Sequence, residues 1–256
     1  MNIIPAVIYI LFTAVIIAGV YVLPKYKWEV RRLASLDAID EGIRSCVERG
    51  KKVHFSPGAA DPTGSMTYSQ TLPASLEVWR YICRIGGELN APVIGSTESA
   101  ATQLMMQDYA RLGFTQAGHP ERYDPRVVYY VAGGSLNIGT IGIVGIVRSE
   151  NVGLHVSYGV FSGGSHLPVI AVANQIGAIT IACNAYPMET SECALGADYP
   201  IIMEEEMASG VYLSGDPVQI ASLLAEDFIK IGICIFVVVV MGLLFAGVIP
   251  PYRRPL

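Results

Sequence analysis

The chain has 256 residues, 52% of them hydrophobic and only 15% charged, with a formal net charge of −5. Soluble domains usually carry about 25% charged residues, so part of this chain is unusually oily. The acidic balance, with no basic stripe to displace counterions, argues against a nucleic-acid partner.

The shortage of charge is confined to the two ends. Residues 1–24 and 231–252 hold no Asp, Glu, Lys or Arg. Each run reaches the ~20 residues that cross a ~30 Å hydrocarbon core. The first span reads from Ile3 to Leu23, with Pro5 in its first turn, where a missing N–H costs little. A secretory signal peptide is the other reading of such a segment. No Lys or Arg precedes the apolar run, however, and Tyr21 to Pro24 does not resemble a small-residue cleavage site. Residues 1–24 are therefore expected to form a permanent transmembrane helix.

Leu33, Leu36, Ile39, Ile43 and Val47 then recur every three or four residues, and Gly50 follows as a C-cap. This is the pattern of an amphipathic helix leaving the membrane. Apolar runs of strand length follow at Val53–Ser56, Pro92–Gly95, Val127–Val131, Leu154–Phe161, Ala178–Cys183 and Pro200–Met203. Between them lie helical segments at about Thr71–Gly86, Ser99–Gly113, Leu136–Ser149, Leu167–Gly177 and Glu189–Gly196. Strands that are nearly continuous in apolar residues and alternate with helices read as a mainly parallel sheet covered on both faces. With right-handed crossovers, the expected fold is α/β, a Rossmann-like three-layer domain over residues 25–230 flanked by two transmembrane helices.

Asp216 suits an N-cap and Pro217 the first helical position. From there the chain can run without a breaker into the second span, Ile231 to Ile249, where thirteen residues are Ile, Leu, Val or Phe. Each is worth roughly −0.3 to −0.6 kcal/mol near the bilayer centre. Residues 250–256 form a short tail. Lys25, Lys27, Arg31, Arg32 and Lys230 lie on the domain side, against Arg253 and Arg254 on the other. That excess favours a cytoplasmic domain on a two-span protein of the cell membrane. Cys46, Cys83, Cys183, Cys193 and Cys234 are odd in number and scattered, as suits a reducing compartment, and no pair has metal-ligand spacing.

Several segments together resemble an uncharacterised prokaryotic membrane-associated α/β family, a domain of unknown function. They are LDAIDEGI (Leu36 to Ile43), HFSPG (His54 to Gly58), QTLPASLEVW (Gln70 to Trp79), IGAITIA (Ile176 to Ala182), ADYPIIMEEEM (Ala197 to Met207) and YLSGDPVQIASLLAED (Tyr212 to Asp227). The resemblance implies the fold and the membrane setting and supplies no reaction.

Four features could carry chemistry. Ser162, Gly163, Gly164 and Ser165 run from a strand into a helix, and their backbone N–H groups with the helix N-terminus could hold a phosphate or other anion. A tight strand-to-helix turn capped by Ser165 is the plainer reading, since no G-x-G-x-x-G or Walker A sequence occurs. The loop from Pro57 to Gln70 follows the first strand and offers Asp61 opposite that turn, as either a ligand loop or a subunit contact. Gly139, Gly142 and Gly145 share a helical face, which reads as close packing on the sheet rather than a nucleotide loop. Glu204, Glu205 and Glu206 open a helix, where acids complement its dipole, with a catalytic carboxylate pair as the sharper alternative.

His54, His119, His155 and His166 form no ligand-spaced pair; His54 and His155 read as core or edge histidines. No G-x-S-x-G elbow is present. No metal and no cofactor is expected. The reading that follows is a membrane-anchored scaffold subunit of a larger homo- or hetero-oligomeric assembly, with the bilayer and other subunits as partners. The alternative is a Rossmann-like domain binding a nucleotide or other small anion, possibly with enzymatic activity. A transporter is the remaining option, but two uncharged spans offer no intramembrane ionisable residue to mark a path.

Overall fold

The computed structural model describes residues 33–246 apart from 65–68, 132–135, 185 and 204, together with residues 10, 13–14, 17–19, 21–22 and 25 near the N-terminus. The chain divides into two compact units: Arg31–Ser214, and the two ends, Met1–Val30 with Gly215–Leu256.

The Arg31–Ser214 unit begins with helix α1 (Ala34–Arg49). Leu36, Ile39, Ile43 and Cys46 are buried along its inner stripe, and Gly50 closes it in the left-handed conformation expected of a C-cap. Strand β1 (Lys52–Gly58) follows, then α2 (Leu72–Leu89), β2 (Val93–Thr97) and α3 (Ala100–Gln116). Two short 3-10 turns, Pro120–Arg122 and Pro125–Val127, lead to β3 (Val128–Tyr130). After α4 (Leu136–Ser149) come β4 (Val152–Val160), α5 (His166–Gln175), β5 (Ile179–Asn184), α6 (Thr190–Gly196), β6 (Tyr199–Ile202) and α7 (Glu205–Ser214). The strand and helix alternation expected from the apolar runs is present, with ends shifted by a few residues.

The six strands form one sheet in the order β3-β2-β1-β4-β5-β6, and each neighbouring pair is parallel. This is the order of a doubly wound sheet, whose direction of growth reverses between β1 and β4. Successive side chains on a strand point to opposite faces, so the two faces carry different residue sets. Val53, Phe55, Leu154, Val156, Tyr158, Ile181 and Cys183 join the main core with α1, α2 and α3. The opposite face meets α4 and α5 through a smaller cluster that includes Ile94, Ile143, Val147, Val169 and Ala173.

In the second unit, α8 runs without interruption from Pro217 to Phe245. The Asp216 side chain accepts the Val218 N–H at 2.8 Å, the cap expected from the sequence. Among the described residues this is the one helix long and apolar enough to cross a membrane, and its apolar window is not buried within the protein. Phe236 and Val238 are 66% and 70% exposed, a cost in water that lipid removes. The expected first span, Ile3 to Leu23, lies largely outside the described residues; those of it that are described, such as Ile10, Ile17 and Tyr21, are helical.

Candidate functional site

In a doubly wound sheet, ligands bind beyond the carboxyl ends of the strands, where the order reverses. The loops after β1 and β4 flank that point here, and they carry Asp61 and the Ser162–Ser165 turn. In that turn Gly163 and Gly164 take positive φ angles of 68° and 76°, which glycine adopts without a Cβ penalty. Their N–H groups therefore converge as an anion-binding nest.

The anion they meet belongs to the chain. The Glu189 carboxylate accepts the Gly163 N–H at 2.8 Å and the Gly164 N–H at 3.3 Å. Glu192 accepts the N–H of Leu167, in the first turn of α5, at 2.9 Å. Ser165 Oγ accepts the Ser162 N–H at 3.1 Å, closing the turn on itself. The turn thus has the electrostatics expected of it, and two intrachain carboxylates satisfy its donors. Burial is the main cause raising the Glu192 carboxyl above its ordinary range. The Ser162 hydroxyl is buried with no hydrogen-bond partner.

Asp61 has a separate set of partners. Its carboxylate accepts from the Thr63 N–H at 2.6 Å and from the Thr63 hydroxyl. Hydrogen bonds from the Ser99 and Thr63 side chains hold it below the usual carboxylate range. Ser99 caps α3 by accepting the Thr102 N–H. Asp61 therefore belongs with the start of α3, whereas the Ser162 turn belongs with the loop after β5. Glu98, between β2 and α3, is pushed up to about 7 by burial.

Below the rim, the face toward α4 and α5 holds a row of buried polar groups. The register places His54 opposite His155 and Ser56 opposite Ser157. The Nδ1 atoms of His54 and His155 lie 2.8 Å apart, and His54 Nε2 is 2.9 Å from Ser96 Oγ. His155 Nε2 has no partner. Of the two tautomer assignments, one leaves that buried nitrogen as a bare acceptor and the other as a lone N–H donor. Buried orphan donors are the rarer of the two. The favoured arrangement therefore has His155 Nδ1–H donating to His54 Nδ1, and His54 Nε2–H donating to Ser96. His166 stacks on Phe161 with ring centroids 4.2 Å apart, and its Nε2 lies 2.6 Å from Ser157 Oγ. Its Nδ1 is 3.3 Å from both Asn184 Nδ2 and Cys193 Sγ. Burial drives His155 and His166 down to about 3 and His54 well below the imidazole range, so all three are neutral at physiological pH. Among the described residues no group of three or more His, Cys, Asp or Glu could hold a metal ion.

The remaining expected features have different surroundings. Gly139 and Gly142 do pack closely: a Cβ on the first would lie 2.1 Å from Glu98 Cδ, and on the second 3.0 Å from Val131. Gly145 faces open space. Of the three glutamates, Glu204 lies outside the described residues. Glu205 takes the Ile202 N–H at 3.3 Å. Glu206 lies in the first turn of α7 as expected, and its side chain is only 1% exposed. A large open groove of about 1080 Å³ runs along edge strand β3 and is lined by Pro92, Gln103, Phe114, Arg126 and Tyr129 among others. It touches none of the residues expected to bind a ligand.

A family model described as "Domain of unknown function (DUF6754)" matches residues 1–250. The chain belongs to that family. No curated protein and no solved structure matches the chain. In this family member, the buried histidine row is what sequence reasoning missed. The signal was available: His54-x-Ser56 and His155-x-Ser157 repeat the same pattern in two strands, and in-register parallel pairing turns that repeat into one polar row.

Proposed function

We propose that this chain is a membrane-anchored scaffold subunit of a larger homo- or hetero-oligomeric membrane assembly, and not an enzyme. The observation that carries this reading is the occupied anion nest: Glu189 and Glu192 take the backbone donors that an anionic ligand would need. Two further acids near the strand ends are likewise engaged within the chain: Asp61 by the Thr63 and Ser99 side chains, and Glu205 by the Ile202 N–H. An α/β domain that neutralises its own rim retains its framework and gives up the usual use of it. The α8 helix supplies the anchor. The full proposal has two spans, residues 3–23 and 231–249, with the α/β domain on the cytoplasmic side; the uncharged N-terminal run and the lysines and arginines near the domain support it.

The experiment is purification of the full chain in mild detergent, followed by mass measurement of the intact particle and of any bound small molecule. A particle several times the 27.5 kDa chain mass, or one containing other subunits, is expected. A single chain per micelle would sink the reading. The second reading, an anionic ligand at Ser162–Ser165, is favoured by the buried unpartnered Ser162 hydroxyl. It requires Glu189 to leave, so Glu189→Gln should then tighten binding of inorganic phosphate.

A further inference from the structure

Helix α7 is joined to its neighbours by two left-handed residues. Met203, before it, has φ 49°, and Gly215, after it, has φ 62°. For a side chain such as Met that conformation is strained and persists only where the surroundings hold it. Gly215 and Asp216 are all that separates α7 from the membrane-directed helix α8.

Tyr212 and Leu213 pack α7 on the main core, Val211 is buried, and a small set of further buried contacts fixes the helix there. Gly210 sits against Ala74 of α2, where a Cβ would come within 3.0 Å. The Tyr158 hydroxyl donates to the Glu206 carbonyl at 2.9 Å and also meets the Ser209 hydroxyl. The Glu206 side chain itself points inward: it is 1% exposed, and its Oε1 has no hydrogen-bond partner. Its other interaction is with the Cys183 thiol on β5. The titratable groups around it are Tyr158 on β4, Cys183 on β5, Cys193 on α6 and Glu205 on its own helix. None of these supplies a positive charge. A carboxylate in such a place has lost its water and gained no cation.

We propose that α7 is a proton-dependent latch, docked on the sheet while Glu206 is protonated and released when that carboxyl ionises. Burial raises the docked carboxyl well above its ordinary range, whereas a released Glu206 regains water and titrates as an ordinary carboxyl. Between the two, docking takes up a proton, so rising pH loosens α7. The two left-handed junctions are where the backbone turns as the helix leaves. Loss of docking alters the segment that leads directly into α8, which gives the domain a route from proton concentration to its anchor.

The test is hydrogen exchange of the full chain in mild detergent, read as protection of α7 relative to α1 so that the intrinsic pH dependence of exchange cancels. That ratio is expected to fall with rising pH by up to about tenfold per unit, the steepest slope one proton allows. Glu206→Gln, which mimics the protonated acid, should make the ratio flat, and Glu205→Gln should leave the fall in place. A flat ratio in the unaltered chain overturns the latch, and so does an unchanged fall in Glu206→Gln. If Glu206→Gln does not fold, the other two proteins still decide: loss of the slope in Glu205→Gln assigns the proton to Glu205 and ends the proposal.

Discussion

The two faces of the sheet are built on opposite principles. Toward α1, α2 and α3, the strands present Val53, Phe55, Leu154, Val156 and Ile181, and Trp79 stacks on Phe55 with ring centroids 5.3 Å apart. That face is held by apolar area and shape. Toward α4 and α5, the same strands present His54, Ser56, His155, Ser157 and Asn184, all fully buried. That face adds to its smaller apolar cluster a row of hydrogen bonds between buried polar groups, in which His155 Nε2 alone lacks a partner. A large apolar face tolerates approximate complementarity, whereas a buried polar row fails wherever one member is removed.

The largest break should come on the apolar face. Trp79 is fully buried, and its indole N–H donates to the Met106 carbonyl at 2.8 Å. Trp79→Ala removes that bond and leaves a cavity, so a loss of about 3–5 kcal/mol is expected in chemical denaturation of the full chain. On the polar face, His54→Ala deletes less volume but strands His155 and Ser96, which it now bridges. About 1–3 kcal/mol is expected for each group left unpaired. If His54→Leu, which refills the space with an apolar group, costs as much as His54→Ala, then missing partners rather than missing volume control this face.

The faces should also answer pH in opposite directions. The buried histidines have folded values depressed to about 3, below the ordinary 6.5. Below about 6.5 the unfolded chain takes up protons that the folded one refuses, so the polar face loses stability as pH falls from there toward about 3. Glu206, against the apolar face, is shifted the other way: its folded value lies well above the ordinary 4.5. Its contribution is complete below about 4.5 and is lost as pH rises through the folded value. A denaturation series across pH should show both slopes in the unaltered protein. Glu206→Gln should flatten the alkaline-side loss alone. Removal of both slopes by that one substitution would contradict the assignment.

How far the sequence anticipates this depends on the range of the interaction. The six strands and the helices between them follow from local periodicity, and Asp216 caps α8 as a residue-level rule says it should. The Ser162–Ser165 turn also behaves as an anion nest, because paired glycines impose that backbone geometry locally. Which anion fills it is a tertiary matter, for Glu189 lies beyond a whole helix and strand. The adjacent glutamates are chemically identical on paper, and only the packing of α7 sends Glu206 inward and leaves Glu205 at the rim. The histidines likewise look unrelated at separations of about a hundred residues, and register alone brings His54 to His155.

The smallest expected effect isolates α4, the helix that covers the polar row. Its three glycines share spacing and helical setting, so sequence rules assign each the same cost, roughly 0.5–1 kcal/mol relative to alanine in a helix interior. The surroundings differ. At Gly145 an added Cβ meets nothing within 4 Å, so Gly145→Ala should stabilise the protein by up to about 1 kcal/mol. At Gly139 the same methyl would fall 2.1 Å from Glu98 Cδ. Gly139→Ala must therefore displace a half-buried carboxyl before any helix propensity is gained. It should be neutral to destabilising, and it should lower the Glu98 value from about 7 as the side chain moves toward water. Equal stabilisation by the two substitutions would mean that Glu98 yields freely, and that the contact between Glu98, after β2, and α4 contributes little to holding this helix over the histidines.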